Sequence, residues 1–307
     1  MKSLDRKRLI LLLVLFLAGM LSGVLVTKHS SVFTNALPSN LPAEIQDPHQ
    51  YGRVVTQQLP WELEPEFIKA IHTYNTPIRL SAFQTTLPDP LPGEEYNVSL
   101  AARILAGTLL QPGKIFSMNS QIGPYSVKQG FRQGPTYVGP QVFLSTGGGV
   151  CKIASTLYNV AILANTTIVE RHPHSMLVPY VPAGQDATVY MGVKDFRFKN
   201  NYGFPILIWS QTKENTLFIA FYGLAKPPEI KWRHQILNRQ KTYKLYRYNK
   251  NLSPGEEKVI VPGADGMLVK SWITITESNG AAKEKYLGAD YYRPLPYVIE
   301  RGRPQHW

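Results

Sequence analysis

The chain has 307 residues, 44% of them hydrophobic, a formal net charge of +12 and one cysteine, Cys151. A lone cysteine excludes an intramolecular disulfide framework, so the core must hold by burial, and the length suffices for one large or two moderate domains. The positive balance points to an anionic partner, whose class depends on the compartment.

At the N-terminus, Lys2, Arg6, Lys7 and Arg8 precede Leu9 to Val26, an uncharged run that would be roughly 27 Å long as a helix, just enough to cross a bilayer. Basic residues belong on the cytoplasmic side. That makes residues 1–8 a cytoplasmic N-terminus, 9–26 a transmembrane anchor and everything beyond Lys28 extracytoplasmic. The same run can be read as a signal segment and the chain as secreted, but its apolar core is longer than signal peptides usually carry and no clear A-x-A site follows. Residues 27–78, with Pro38, Pro42, Pro48 and Pro60 among polar residues, read as a stalk or linker with one short helix at Pro65 to Tyr74.

Ile78 to Thr86 alternates like a strand and closes in a Pro-rich turn. Asn97 or Ser99 then caps a helix through about Leu110, stopped by Pro112-Gly113. Lys114 to Asn119 is a short strand, and the glycine-punctuated stretch through Gly139-Pro140 reads as an irregular loop of the kind that lies beside a site. Gly147-Gly148-Gly149-Val150-Cys151 opens a helix to Asn165, with Ile153, Leu157, Val160, Ala161 and Ala164 on one face. Strands follow at Thr167 to Arg171, Thr188 to Gly192 and Phe196 to Phe198, then a hairpin of Ile206 to Ser210 with Leu217 to Tyr222. Val259 to Val261, Met267 to Thr276 and Ala282 to Leu287 form a β-rich tail. The chain thus reads as α+β: a central cysteine-bearing helix packed on a mostly antiparallel sheet, with a β-rich C-terminal module.

Three glycines followed at once by Cys151 let the backbone turn tightly and leave N–H groups free to face a ligand. In the first turn of a helix, unpaired N–H groups and the macrodipole favour a thiolate, the better nucleophile. The plainer reading is a small apolar core residue. A reduced cysteine in an exported chain is open to oxidation, so its presence asks for a reason, and catalysis is one.

Several blocks in order resemble the VanW domain, the family named from vancomycin-resistance clusters. They are Pro112 to Asn119, Gly147 to Cys151, Ser155 to Asn159, Glu170 to Ser175, Tyr180 to Val189 and Phe196 to Asn201. The resemblance covers about 79–224, leaving 225–307 as a basic β-rich C-terminal module, of which Val259 to Pro294 is similar to the glycine-containing β segment that often follows this domain. It implies a role at the cell wall: some members are described as cysteine-dependent L,D-transpeptidases that form 3-3 cross-links in peptidoglycan. The nucleophile then falls on Cys151. The family usually has Gln after that cysteine, where this chain has Lys152, a cation that could further favour the thiolate or could mark a member with altered substrate or lost activity.

Such chemistry needs a base that also protonates the leaving amine. His172 and His174 follow the helix, and period two in an extended segment would point both imidazoles the same way; His174 is favoured because Pro173 restricts His172. Asp186 or Asp195 could orient the imidazole, and backbone N–H groups around Gly148, Gly149 and Cys151 could hold the oxyanion. Arg171 and Tyr137 are candidates to bind the stem-peptide carboxylate. No cofactor is expected, and a metal site on Cys151, His172 and His174 has too few soft ligands.

Between Lys226 and Lys250, Lys231, Arg233, Arg239, Lys241, Lys244 and Arg247 interleave with Trp232, Tyr243, Tyr246 and Tyr248 against one acid, Glu229. Nucleic acid would suit this mixture, but the topology excludes it and leaves anionic cell-wall polymers or lipid headgroups, or simply a solvated β-ribbon. Three classes therefore stay open. They are a membrane-anchored cysteine acyltransferase acting on stem peptides, with a papain-like endopeptidase or amidase as its close variant; a non-catalytic wall-binding or scaffold protein; and the disfavoured metal site.

Overall fold

A computed structural model describes residues 51–303 apart from 88, 89, 139 and 140, and the side chains of 137, 138, 141 and 142 are likewise outside it. The expected cytoplasmic N-terminus, the anchor at 9–26 and the first part of the stalk lie outside the described residues. Among the described residues, no helix is long and apolar enough to cross a membrane.

The elements in chain order are β1 (Gly52–Val54), α1 (Pro65–Tyr74), β2 (Ile78–Thr86), α2 (Glu94–Leu105), β3 (Thr108–Leu110), β4 (Ile115–Ser117), α3 (Met118–Ile122), β5 (Gln133–Val138) and β6 (Gln141–Thr146). Then come α4 (Cys151–Leu163), β7 (Thr167–Glu170), β8 (Arg197–Lys199), β9 (Ile206–Lys213) and β10 (Thr216–Gly223). The tail carries β11 (Glu229–Gln240), β12 (Lys244–Tyr248), β13 (Glu257–Val261), β14 (Gly266–Thr276), β15 (Ala282–Tyr292) and β16 (Tyr297–Arg301).

The central sheet runs β1-β2-β10-β9-β3, all antiparallel. Its strands are covered on both faces, and the period-two alternation shows it. In β10, Leu217, Ile219 and Phe221 join the core beneath α4, while Ala220 and Tyr222 join Trp61 and Phe67 on the other side. From residue 51 on, the segment expected as a stalk is thus part of the fold. Trp61 is fully buried and donates Nε1 to Tyr222 Oη at 2.9 Å, and β1 pairs with β2. Enough apolar side chains occur between Val55 and Phe67 to cover a sheet face, and that burial outweighs the local proline content.

α4 is the centre of the larger core. Every residue from Lys152 to Ile162 is buried, and among them Lys152, Ser155, Thr156 and Asn159 make side-chain hydrogen bonds. Thr156 meets Thr85 at 2.8 Å, Ser155 donates to the Ala187 carbonyl at 3.0 Å, and Asn159 donates to the Gln185 carbonyl at 2.8 Å. Apolar on one side and hydrogen bonded on the other, the helix is surrounded rather than amphipathic at a surface.

Several boundaries differ from expectation. The helix expected through Leu110 is α2, ending at Leu105; Gly107, at φ +81°, turns the chain so that Thr108–Leu110 becomes the edge strand β3. The irregular loop before Gly147 contains an antiparallel hairpin, β5 with β6. Thr188 to Gly192 forms no strand; its chain turns on itself in a bridge between Tyr190 and Lys194. In the tail, β11-β14-β15 form one sheet and β12-β16-β13 another, the β12–β16 pair being parallel. Ile230, Ile273 and Ile275 of the tail belong to the same core cluster as α4.

Candidate active site

Cys151 is the first residue of α4 and is half-buried. Gly147 and Gly149, at φ +83° and +99°, turn the chain into the helix. Gly148 is constrained by space, since a Cβ there would lie 2.2 Å from the Gly134 carbonyl oxygen of β5. Asn97 of α2 locks this loop by donating to the carbonyls of Gly148 and Arg132, both at 2.9 Å, and accepting from Arg132 N–H at 2.8 Å. Among the described residues, the backbone N–H groups of Gly149 and Cys151 have no acceptor. They are the donors an oxyanion beside the sulfur would need.

His174 lies beyond β7, where the chain leaves the sheet. Its Nδ1 and its backbone N–H both contact Asp186 Oδ2 at 2.6 Å, and its ring also interacts with the Cys151 sulfur. With Nδ1 bound to the carboxylate, Nε2 is the nitrogen left for the sulfur. Thr188 Oγ1 stands 3.2 Å from Sγ, beside the Val189 backbone.

Burial pushes the Cys151 thiol up, but the hydrogen bond and charge of His174, with Thr188 and the Val189 backbone, more than reverse this, and its pKa is lowered. Burial likewise works against the His174 cation, yet Asp186 and Cys151 raise its pKa to about 9. Desolvation would raise the Asp186 carboxyl, but His174 and Arg171 hold it at about 2. The contacts thus favour an imidazolium and a carboxylate beside a sulfur shifted toward the thiolate. Such a set can attack an acyl carbon and protonate the leaving group.

The other candidates separate clearly. His172 Nε2 pairs with Glu170 Oε1 at 3.0 Å and its side chain is 38% exposed, so the two histidines do not share a partner. Asp195 accepts from Ser117 Oγ at 2.5 Å and from Asn119 N–H at 2.9 Å, holding the start of α3 rather than an imidazole. Lys152 does not face the sulfur. It is buried, with Nζ 2.8 Å from Glu95 Oε1 and 2.9 Å from the Asn215 carbonyl. Arg171 is occupied: it meets Asp186 Oδ1 at 3.1 Å and both oxygens of Asp290 at 2.7 Å. Tyr137 lies on β5, outside the described side chains.

Three contributors escaped the sequence. Thr188 sat within an expected strand, and Asp290 and Tyr292 lie in the tail; Tyr292 Oη donates to Asp186 Oδ1 at 2.5 Å. The tail residues alternate, as do residues on one face of a strand, and that spacing was the available signal.

Comparison with known proteins bears on the same region. The family model described as VanW like protein matches residues 93–222. The chain is 38% identical over 128 residues to the uncharacterized protein YoaR of Bacillus subtilis (strain 168), covering 42% of each chain. It is 28% identical over 142 residues to the vancomycin B-type resistance protein VanW of Enterococcus faecalis (strain V583), covering 44% of this chain and 51% of that one. The matches thus span about half the length of these relatives. Among solved structures, the IgA1 protease G5 domain is 18% identical with a TM-score of 0.18, covering 25% of this chain and 94% of that one. HP0197-G5 is 14% identical with a TM-score of 0.15, covering 24% and 99%. Cys151, His174 and Asp186 all lie inside the residues 93–222 over which the chain is similar to VanW like proteins.

Proposed function

We propose that this protein is an extracytoplasmic, membrane-anchored cysteine acyltransferase that acts on peptidoglycan stem peptides as an L,D-transpeptidase. The observation that carries the reading is the connected set of Cys151, His174 and Asp186 beside the acceptor-free N–H groups of Gly149 and Cys151. The cell-wall setting rests on the family resemblance and on the name of the Enterococcus relative. The membrane setting rests on the uncharged run after Arg8.

In this reaction the Cys151 thiolate attacks the carbonyl carbon before the terminal D-residue. A C–S bond forms while the oxyanion is held by the loop N–H groups. The C–N bond then breaks as His174 gives its proton to the leaving amine, leaving a thioester. An amine of a neighbouring stem loses a proton to His174 and attacks the thioester, which releases the thiolate and makes the cross-link. The exposed basic residues Lys231, Arg233 and Lys241 would hold anionic wall polymers or lipid headgroups nearby.

The test is mass spectrometry of disaccharide-tetrapeptide muropeptides incubated with the full chain, beside Cys151→Ala. A dimer lacking one terminal D-amino acid, absent from the variant, is expected. Shortened stems without dimers would instead make the protein a hydrolase, with water as the acceptor. No change with folded protein would leave a wall-binding role.

A further inference from the structure

The end of β15 runs along the back of the His174–Asp186 pair. Alternation along the strand turns Asp290 and Tyr292 to one side, while Tyr291 between them is 50% exposed. Tyr292 is buried to 1%, donates Oη to Asp186 Oδ1 at 2.5 Å and accepts from Gly184 N–H at 2.8 Å. Asp290 takes both its oxygens to Arg171, which in turn binds the Asp186 backbone carbonyl at 2.8 Å and Oδ1 at 3.1 Å. One residue further on, Arg293 N–H donates to the Ser175 carbonyl at 2.7 Å, next to His174 itself. The strand is fixed in turn by β14, where Met267 faces Tyr292 and Val269 faces Asp290.

Asp186 is thus held from two sides. His174 occupies Oδ2, and Arg171 and Tyr292 occupy Oδ1. A carboxylate with one oxygen anchored cannot rotate away from the imidazole it orients. Arg171 and His174 come from the segment after β7, Asp290 and Tyr292 from the tail, and Tyr158 of α4 lies beneath Arg171 with its ring centroid 5.1 Å from the guanidinium carbon.

We propose that Tyr292 and Asp290 are positioning residues for the Asp186–His174 pair, so that the C-terminal β module completes the reactive site of the VanW-like domain. The module is more than an appended binding surface. The inference rests on the acyl-transfer reading only in taking Cys151 as the reactive group, and it can be tested without any peptidoglycan substrate.

The experiment measures the rate constant for alkylation of Cys151 by iodoacetamide in the full chain from about pH 4 to about pH 10, for the parent, Tyr292→Phe and Asp290→Asn. Folding is checked by circular dichroism and thermal unfolding. In Tyr292→Phe, Oδ1 keeps only the longer Arg171 contact, the carboxylate is held less firmly against the imidazolium, and the thiolate's counter-ion is weakened. The midpoint should rise by about one pH unit, lowering the rate constant about tenfold on the acidic limb while the alkaline plateau stays at the parent value. Asp290→Asn should move the midpoint in the same direction by loosening Arg171, and it decides the matter if Tyr292→Phe does not fold. A folded variant whose profile superimposes on the parent's overturns the proposal and leaves the acyl-transfer reading intact. A parent with an ordinary thiol midpoint overturns both.

Discussion

His174 meets one oxygen of Asp186 twice, through its backbone N–H and through Nδ1, both at 2.6 Å. The backbone bond fixes where the carboxylate stands, and the ring bond fixes which imidazole nitrogen carries a proton toward it. Orientation and protonation of the base therefore depend on a single buried oxygen.

Asp186→Asn should separate these effects. The amide keeps the shape but removes the charge that raises His174, and it leaves Arg171 facing a neutral group. Turnover is expected to fall by about 10²-fold or more, the general range for losing acid–base catalysis. Stability should also drop, on the order of a few kcal/mol, because one partner of a buried ion pair is gone. Steady-state rates and thermal unfolding measure the two losses. Unchanged turnover would remove Asp186 from the mechanism.

The pH dependence follows from the same groups. The thiolate–imidazolium pair exists from the lowered pKa of Cys151 up to about 9, where His174 loses its proton. Above that pH the leaving amine has no proton donor, so kcat/KM should decline with an alkaline limb near about 9. Folding shares the window. His174 is raised above its ordinary 6.5, so its contribution is full below that value and is lost as pH rises through about 9. Asp186 is depressed from 3.8, so its contribution is present above that value and is lost as pH falls through about 2. Activity still climbing beyond about pH 10 would contradict the assignment of His174 as acid.

Much of the site was legible because it is local. A glycine turn followed by Cys151 and a 3.6-residue pattern marks a helix start, and the β9–β10 hairpin shows in its alternation. What failed was non-local. Asp186 and Asp195 look alike in sequence, and only the fold brings one to an imidazole and the other to Ser117. Arg171 resembles an exposed strand-end cation until the tail supplies Asp290. Proline-rich composition made 51–78 look like a tether, although Trp61 and Phe67 lie against a sheet face formed by distant strands.

Lys152 illustrates the same limit and yields its own test. Its position beside Cys151 suggests a cation acting on the thiolate, yet its ammonium is held by Glu95 and the Asn215 carbonyl. Neighbouring Glu94 is raised to about 7, chiefly by burial and partly countered by Lys152. Lys152→Met should leave the Cys151 alkylation profile where it is. It should cost on the order of 3 kcal/mol of stability, since the half-buried Glu95 would lose the partner of its ion pair with the buried Lys152. Removing the cation also pushes Glu94 higher, so the variant's stability should fall more steeply than the parent's as pH rises from about 4.5 through about 7. Chemical denaturation at several pH values reads this. A displaced alkylation profile would instead tie Lys152 to the sulfur.

The glycine run offers a test of the loop proposed to carry the oxyanion donors. At Gly148 an added Cβ would meet the Gly134 carbonyl oxygen at 2.2 Å, backbone against backbone, with no flexible side chain to give way. At Gly192, in the turn that follows Val189, an added Cβ meets nothing within 4 Å, and the only cost is the left-handed backbone at φ +76°. Gly148→Ala must push the loop off β5, weaken the Asn97 bond to the Gly148 carbonyl and shift the N–H groups of Gly149 and Cys151. A stability loss of about 1–3 kcal/mol is expected, as for other overpacked sites, with turnover reduced by about 10²-fold, as when an oxyanion donor is misplaced. Gly192→Ala should lose only about 1–2 kcal/mol through strain and retain turnover, because its turn holds no donor for the site. Denaturation midpoints and kcat for the two variants, measured side by side, check the contrast. Equal turnover in both would mean that the Gly147–Gly149 loop shapes the fold without stabilising the reaction.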